Sequence, residues 1–190
     1  MTALKPTRSQ PLRPRDARSR DQLADRVLDR LRKFIEDRGM TGKHGRREFA
    51  EFEKELHERL MEAEREIVGA VMAASDVDAD AIEINGRTHR RVLRSAETYM
   101  TGAGPVRVER WLYKDRADPA AHAVAAMDLK LGIVEGFWTP GAAEQAAWVV
   151  AQMTPQKGEE LFERIGNMNP SKSSLDRLPK AVSERWEEDR

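Results

Sequence analysis

The hydrophobic pattern of this chain changes its period twice, and this limits the folds that it can adopt. Up to about residue 75, apolar residues recur at spacings of three and four, as in a helix with one buried face. From Ala81 the spacing becomes two, and Asn85-Gly86 then gives a strong β-hairpin signal. Helical signals return from about residue 120. The sequence therefore predicts an α+β fold, mainly helical, with a small antiparallel β-sheet between two helical regions.

A pair of helices is predicted over residues 21–75, and Gly39 ends the first of them. The apolar stripe of the second helix consists of Phe49, Phe52, Leu56, Leu60, Ala63, Ile67, Ala70 and Val71. This stripe can pack against the first helix, or it can form the seam of a coiled-coil-like dimer, and the sequence leaves both interpretations open. Residues 1–20 contain three prolines and many arginines, which predicts a disordered basic arm.

The sheet is predicted over residues 81–116, with three or four strands. A first hairpin turns at Asn85-Gly86, and a second hairpin turns at residues 102–105. In the last strand, Val106, Val108 and Leu112 share one face.

Residues 120–190 are predicted to form a helical DNA-binding region that ends in a helix-turn-helix-like pair. Thr139-Pro140 and Thr154-Pro155 each give the signal of a helix start, so a sharp corner separates two helices. Residues 166–170 then close one helix, and a second helix begins at about Ser171. A short helix, a turn and a longer helix is how many proteins present one helix to a DNA groove.

The first half of the final helix is the main candidate for DNA contacts, which are expected from Lys172, Ser173, Ser174, Arg177 and Lys180. The opposite stripe, Leu175, Leu178, Val182 and Trp186, is expected to pack against Leu161, Phe162 and Ile165 of the preceding helix. Pro179 is expected to kink the helix, and the acidic end after it would repel phosphates. An ordinary helical hairpin with solvated charges explains the same spacing.

Arginines of the sheet form a second candidate DNA surface: Arg87, Arg90, Arg91 and Arg94, with Arg107 and Arg110 beside them. Residues 81–118 carry eight basic and five acidic groups, a net charge of +3, although the whole chain is neutral. Local potential attracts a polyanion, so neutrality does not exclude a DNA-binding patch. Ion pairs that keep strand edges in solution explain these arginines equally well.

Other chemistry is poorly represented in the sequence. The chain has no Cys, and its four His residues have no partner at a metal-binding spacing. No nucleophile elbow, P-loop or dinucleotide-binding motif occurs, so no catalytic or metal-binding residue is predicted. Because no signal peptide or membrane-spanning run is visible, a cytoplasmic, nucleoid-associated protein with no membrane contact is expected.

Five motifs, in the same order along the chain, resemble the N-terminal region of ISKra-type insertion-sequence transposases. They are GRTHRRVLRS from Gly86, ETY from Glu97, GPVRVER from Gly104, LGIVEGFWTP from Leu131 and SSLDRLPK from Ser173. The resemblance extends from about Phe49 to Trp186. In that family this region is thought to recognise the ends of the element, and a later RNase H-like domain supplies an acidic triad that binds metal.

The resemblance implies a DNA-binding region without the catalytic domain, whose partner is double-stranded DNA at a terminal inverted repeat. It implies no cofactor for this chain, because Mg²⁺ would belong to the missing catalytic domain, and no activity as an enzyme on its own. The chain would be a truncated reading frame, one frame of a frameshifted gene, or a fragment. The alternative is a helical interaction module that dimerises or joins a full-length transposase and regulates it.

Overall fold

The computed structural model describes residues 4–6, 15–38, 45–118 and 120–188, and it describes only the backbone of residues 4–6, 15–20 and 185–188. In chain order its elements are β1 (Leu4–Pro6), α1 (Arg15–Arg38), α2 (Arg46–Ala74), β2 (Ala81–Ile84), β3 (Arg87–Thr101), β4 (Gly104–Asp115), β5 (Val124–Ala125), α3 (Ala126–Leu131), α4 (Pro140–Gln152), α5 (Pro155–Ile165) and α6 (Lys172–Glu188). The predicted α+β class, mainly helical, is confirmed.

The chain divides into two compact units, and the division falls within α2. One unit is Gln10–Ile67, and the other comprises Met1–Ser9 and Val68–Arg190. Among the described residues, no helix combines the length and the apolar character needed to cross a membrane.

The first unit is a pair of helices, as predicted. Arg30 of α1 forms ion pairs with Glu62 and Glu66 of α2, and Arg38 pairs with Glu55. Because later residues of α1 meet earlier residues of α2, the two helices run antiparallel. This intramolecular pairing is one of the two arrangements that the sequence left open.

Helix α1 begins at Arg15, six residues before the predicted start at Asp21. Residues 4–6 form a strand that pairs with β2. Of the arm that the sequence predicts to be disordered, residues 4–6 thus lie in a strand and residues 15–20 lie in a helix. The rest of the predicted arm lies outside the described residues.

The sheet has five strands in the order β1-β2-β3-β4-β5, and every neighbouring pair is antiparallel. The hairpin at Asn85-Gly86 forms as predicted. Both residues have a positive φ, of 50° and 77°, which a two-residue turn of the type I′ class requires. The sequence predicted three or four strands because β1 and β5 are too short to show a pattern.

Strand β3 is one long strand that takes part in both predicted hairpins. A register shift between Arg91 and Leu93 leaves Val92 as an extra residue opposite β4. In β4 the buried positions change from Val106 and Val108, on one face, to Tyr113, on the other face, so opposite faces of this strand are covered at its two ends.

Helices α4, α5 and α6 share one hydrophobic core. Its buried members include Trp138, Ala146, Phe162, Leu175 and Leu178, and Met168 joins them from the turn between α5 and α6. Ile165 was predicted to pack against the final helix, but it is 51% exposed, because α5 turns Gly158 and Phe162 inward.

Candidate nucleic-acid interface

The corner and the turn around α5 follow from local sequence signals. Pro155 occupies the first turn of α5, and the Thr154 hydroxyl accepts a hydrogen bond from the Lys157 N–H. Gly166 ends α5 with a φ of 81°, in the left-handed region that favours glycine. Six residues then separate α5 from α6, more than the three or four of a typical helix-turn-helix.

Helix α6 begins with a serine cap. The Ser171 hydroxyl accepts a hydrogen bond from the Ser174 N–H at 3.2 Å, so Ser171 is the capping residue. The Lys172 N–H donates to a Glu159 carboxylate oxygen at 3.1 Å. One backbone donor at this helix start is thus already bonded to an anion of the protein itself.

The first half of α6 divides into a buried side and an exposed side. Leu175 and Leu178 are fully buried in the core, and Ser174 is buried at 9% exposure. The exposed side comprises the remaining four predicted contact residues, Lys172, Ser173, Arg177 and Lys180. The helix continues through Pro179 to Glu188. Since the Ser174 hydroxyl also lies 3.0 Å from the Ser171 hydroxyl, Ser174 has little surface left for DNA.

Acidic side chains accompany these cations. Arg177 pairs with Glu135 at 2.8 Å, and Lys180 pairs with Glu184 at 3.7 Å. Arg177 is 59% exposed and Lys180 is 83% exposed, so both pairs are open to solvent. Exposed pairs of this kind contribute only about 0–1 kcal/mol, so a phosphate can replace the carboxylate at little cost.

Arg91, one of the predicted sheet contacts, is used within the fold. Its guanidinium pairs with Asp78 and with Asp80, the latter at 2.7 Å, and it lies over the Trp111 ring at 4.6 Å. These contacts fix the segment between α2 and β2 to the sheet. Arg91 is therefore unsuited to bind a phosphate.

The other sheet arginines are exposed. Arg87 pairs with Asp115 at 3.5 Å, and Arg94 pairs with Glu109 at 3.6 Å. Arg90 and Arg107 are exposed and have no ion-pair partner among the described residues. Within the described parts of the chain, no hydrogen bond or ion pair joins these arginines to α6. The two predicted surfaces are therefore separate candidates.

Arg110 is buried, although the sequence grouped it with the exposed arginines. Its side chain is 9% exposed, and it lies 3.4 Å from a Glu97 oxygen and 3.7 Å from an Asp128 oxygen. Tyr99 donates a hydrogen bond of 2.6 Å to the same Asp128 oxygen. Burial raises the pKa of both Asp128 and Tyr99 above their usual values.

This buried group lines a cleft between the sheet and the loop that follows α3. Four acidic residues, Glu97, Asp128, Glu135 and Glu184, line the cleft with Arg110 and with apolar side chains. Glu97 and Asp128 are the partners of Arg110, whereas Glu135 and Glu184 pair with Arg177 and Lys180 of α6. Among the described residues, no cluster of three or more His, Cys, Asp or Glu can hold a metal ion.

Two features of the site were not predicted from the sequence. Strand alternation would have identified Arg110, since it lies two residues after Val108 on the buried face. The acidic partners Glu135 and Glu159 have no comparable signal, because each lies on another segment and meets α6 only through the tertiary fold. Comparison with protein-family models, curated proteins and solved structures found no match to this chain.

Proposed function

We propose that this chain binds double-stranded DNA through the exposed side of the first half of α6. It would act as the end-recognising region of an insertion-sequence transposase. The observation that carries the proposal is the division of α6: Leu175 and Leu178 fix the helix in a core, while Arg177 and Lys180 remain open to solvent. A rigidly held helix with outward cations is a suitable element for contacting a DNA groove. The transposase assignment rests on the five motifs alone.

Sheet arginines support the proposal as a second contact region. Arg90 and Arg107 are exposed, and they have no ion-pair partner in the described part of the chain. A phosphate would therefore displace nothing at these two positions. Contacts of this kind position a protein on the duplex without reading its sequence.

Charge reversal on α6 tests the proposal. The probe is labelled duplex DNA that covers the sequences flanking the chain's own reading frame, and a scrambled duplex measures non-specific binding. Fluorescence anisotropy between about 50 and 200 mM salt gives the slope of log affinity against log salt. The double variant Arg177→Glu/Lys180→Glu removes two phosphate contacts, so the slope should become shallower by about 2 and affinity should fall.

A matched control is available on α2. Arg47 pairs with Glu51 at 3.5 Å and Lys54 pairs with Glu58 at 3.9 Å, and all four lie on the helix surface. The variant Arg47→Glu/Lys54→Glu changes the net charge as much as the α6 variant does, and it should bind DNA with nearly unchanged affinity. Equal loss in both variants, or no loss in either, would remove α6 from the interface.

A further inference from the structure

The helical pair of the first unit has little core of its own. Of the described residues between 21 and 67, only Val27, Phe34 and Ala63 are buried apolar residues. Phe34 stacks on Phe52 with ring centroids 5.7 Å apart. A unit of this size with so few buried side chains is not expected to be stable without further burial.

Three ion pairs that join α1 to α2, Arg26–Glu66, Arg30–Glu62 and Arg30–Glu66, lie along one side of the seam between the helices. At about 100° per residue, Arg26 and Arg30 lie about 60–100° to one side of Val27 on α1. On α2, Glu62 and Glu66 lie at the same angles from Ala63, in the same direction of rotation about the helix axis. In two antiparallel helices, residues displaced from the contact line in the same direction of rotation lie on the same side of the pair. The observed Arg26–Glu66 and Arg30–Glu62 contacts agree with this.

The other side of the seam is apolar and exposed. We name it the apolar face, and it consists of Leu28 and Ile35 of α1 and of Phe49, Leu60 and Ile67 of α2. Each of these side chains is between 45% and 57% exposed. Leu28 and Ile35 lie about 80–100° from Val27, in the direction of rotation opposite to that of the ion-paired arginines. The three α2 residues lie about 40–60° from Ala63, also in the direction opposite to that of the ion-paired glutamates. Apolar faces of this extent usually mark an interface.

The spacing of the apolar residues on α2 identifies the occupant. Phe49, Leu60 and Ile67 of the apolar face, taken with the half-buried Leu56 beside them, are separated by seven, four and seven residues, an order that reads the same in both directions. An antiparallel copy of the helix therefore places Phe49 opposite Ile67 and Leu56 opposite Leu60. On α1, Ala24, Leu28, Leu31 and Ile35 are separated by four, three and four residues, which has the same symmetry. Such self-complementarity is what a twofold interface requires.

We infer that the occupant of the apolar face is a second copy of this chain, and that two hairpins form a four-helix bundle around a twofold axis. In this arrangement α2 packs against α2 of the other copy, antiparallel, with its centre near Glu58. The five exposed side chains of each copy then become buried, which supplies the missing core.

Mass measurement on the full chain tests the association. Size-exclusion chromatography with light scattering should give twice the chain mass of 21.6 kDa at micromolar concentration. Leu60→Glu buries a charge at the centre of the interface, and it should raise the dimer dissociation constant at least about 100-fold, because two leucines are lost per dimer. Lys54→Gln makes the same change in net charge on the far side of α2 and should leave the dimer intact.

Cysteine cross-linking tests the pairing, because the natural chain has no Cys. A mixture of the single variants Phe49→Cys and Ile67→Cys should form a disulfide-linked dimer on mild oxidation, whereas each variant alone should not. Two copies of position 49 would lie about 27 Å apart along the antiparallel helices, too far for a disulfide.

Three results would overturn the inference. They are a monomeric natural chain, a dimer unchanged by Leu60→Glu, and cross-linking of Phe49→Cys with itself but not with Ile67→Cys. A monomer would mean that another part of the same chain covers the apolar face. If Leu60→Glu unfolds the unit, the cross-linking of the mixed variants still decides between the outcomes.

Discussion

Arg90 and Arg91 are neighbours in the chain with different surroundings. Arg91 joins Asp78, Asp80 and the Trp111 ring, whereas Arg90 is exposed and makes no ion pair among the described residues. The sequence shows two equivalent arginines in a basic strand. The structure separates them into one residue that holds the fold together and one that remains available to a ligand.

Replacing each arginine by alanine should separate their contributions to stability. Arg91→Ala should lower the free energy of unfolding by about 1–2 kcal/mol, because it removes two partly exposed ion pairs and a cation–π contact. Arg90→Ala should change it by less than about 0.5 kcal/mol. Urea unfolding followed by circular dichroism measures both. Equal effects would mean that the Arg91 contacts contribute nothing.

Asp128 should make stability depend on pH in the direction opposite to most carboxylates. Burial raises the pKa of Asp128 above its ordinary value of 3.8, so the folded state binds its proton more tightly than the unfolded state does. The contribution of this group to stability is therefore full below pH 3.8 and is lost as pH rises through the folded-state pKa. The stability of the natural chain relative to Asp128→Asn should increase as pH falls from 7 toward about 4.

Asp115 provides the control of opposite sign. Its carboxylate accepts a hydrogen bond from the Ala117 N–H at 2.8 Å, which lowers the pKa of Asp115. Stability relative to Asp115→Asn should therefore be retained above pH 3.8 and decrease as pH falls further. Urea unfolding of the natural chain, Asp128→Asn and Asp115→Asn, measured from pH 7 to below pH 3.8, gives both differences in the free energy of unfolding. The same slope for both variants would contradict the assignment of Asp128 as a buried acid.

At the scale of elements, the end of α2 packs closely against the sheet. A Cβ atom added at Gly69 would lie 2.9 Å from Cγ1 of Val106 on β4. Val106 belongs to a cluster with Met72, Tyr99 and Met127, so it has little room to move. The absence of a side chain at position 69 is therefore a packing requirement.

Gly69→Ala should destabilise the protein despite alanine's higher helix propensity. Overpacking costs about 1–3 kcal/mol, and the propensity gain of about 1 kcal/mol does not offset it. Gly141→Ala on α4 is the matched comparison, since a Cβ there meets nothing within 4 Å and should be neutral or slightly stabilising. Thermal unfolding of both variants decides the point. A stabilised Gly69→Ala protein would show that helix and sheet separate easily.

Across the whole molecule, the sequence predicted what local chemistry determines. The change in hydrophobic period gave the order of helices and sheet, Asn85-Gly86 gave a hairpin, and Thr154-Pro155 gave a helix start. The short strands β1 and β5 were missed because a run of two or three residues has no period.

The candidate site was predictable only in part, for a related reason. Helical periodicity correctly assigned Arg177 and Lys180 to the exposed side of α6 and Leu175 and Leu178 to the core. Periodicity contains no information on which carboxylate will lie beside a cation. The Glu135 partner of Arg177 lies 42 residues away in the chain, so only the fold reveals that pair.

The extra residue at Val92 has a consequence for how this strand can change. Before Val92 the odd-numbered residues of β3 lie on one face of the sheet, and after it the even-numbered residues lie on that face. The bulge therefore determines which face each half of the strand presents. Deleting Val92 would turn one half of β3 over: either Arg91 would point away from Trp111, or the side chains from Leu93 to Tyr99 would move to the opposite face of the sheet. Because a shift of one residue moves every following side chain to the other face of a strand, the length of β3 is fixed to the residue.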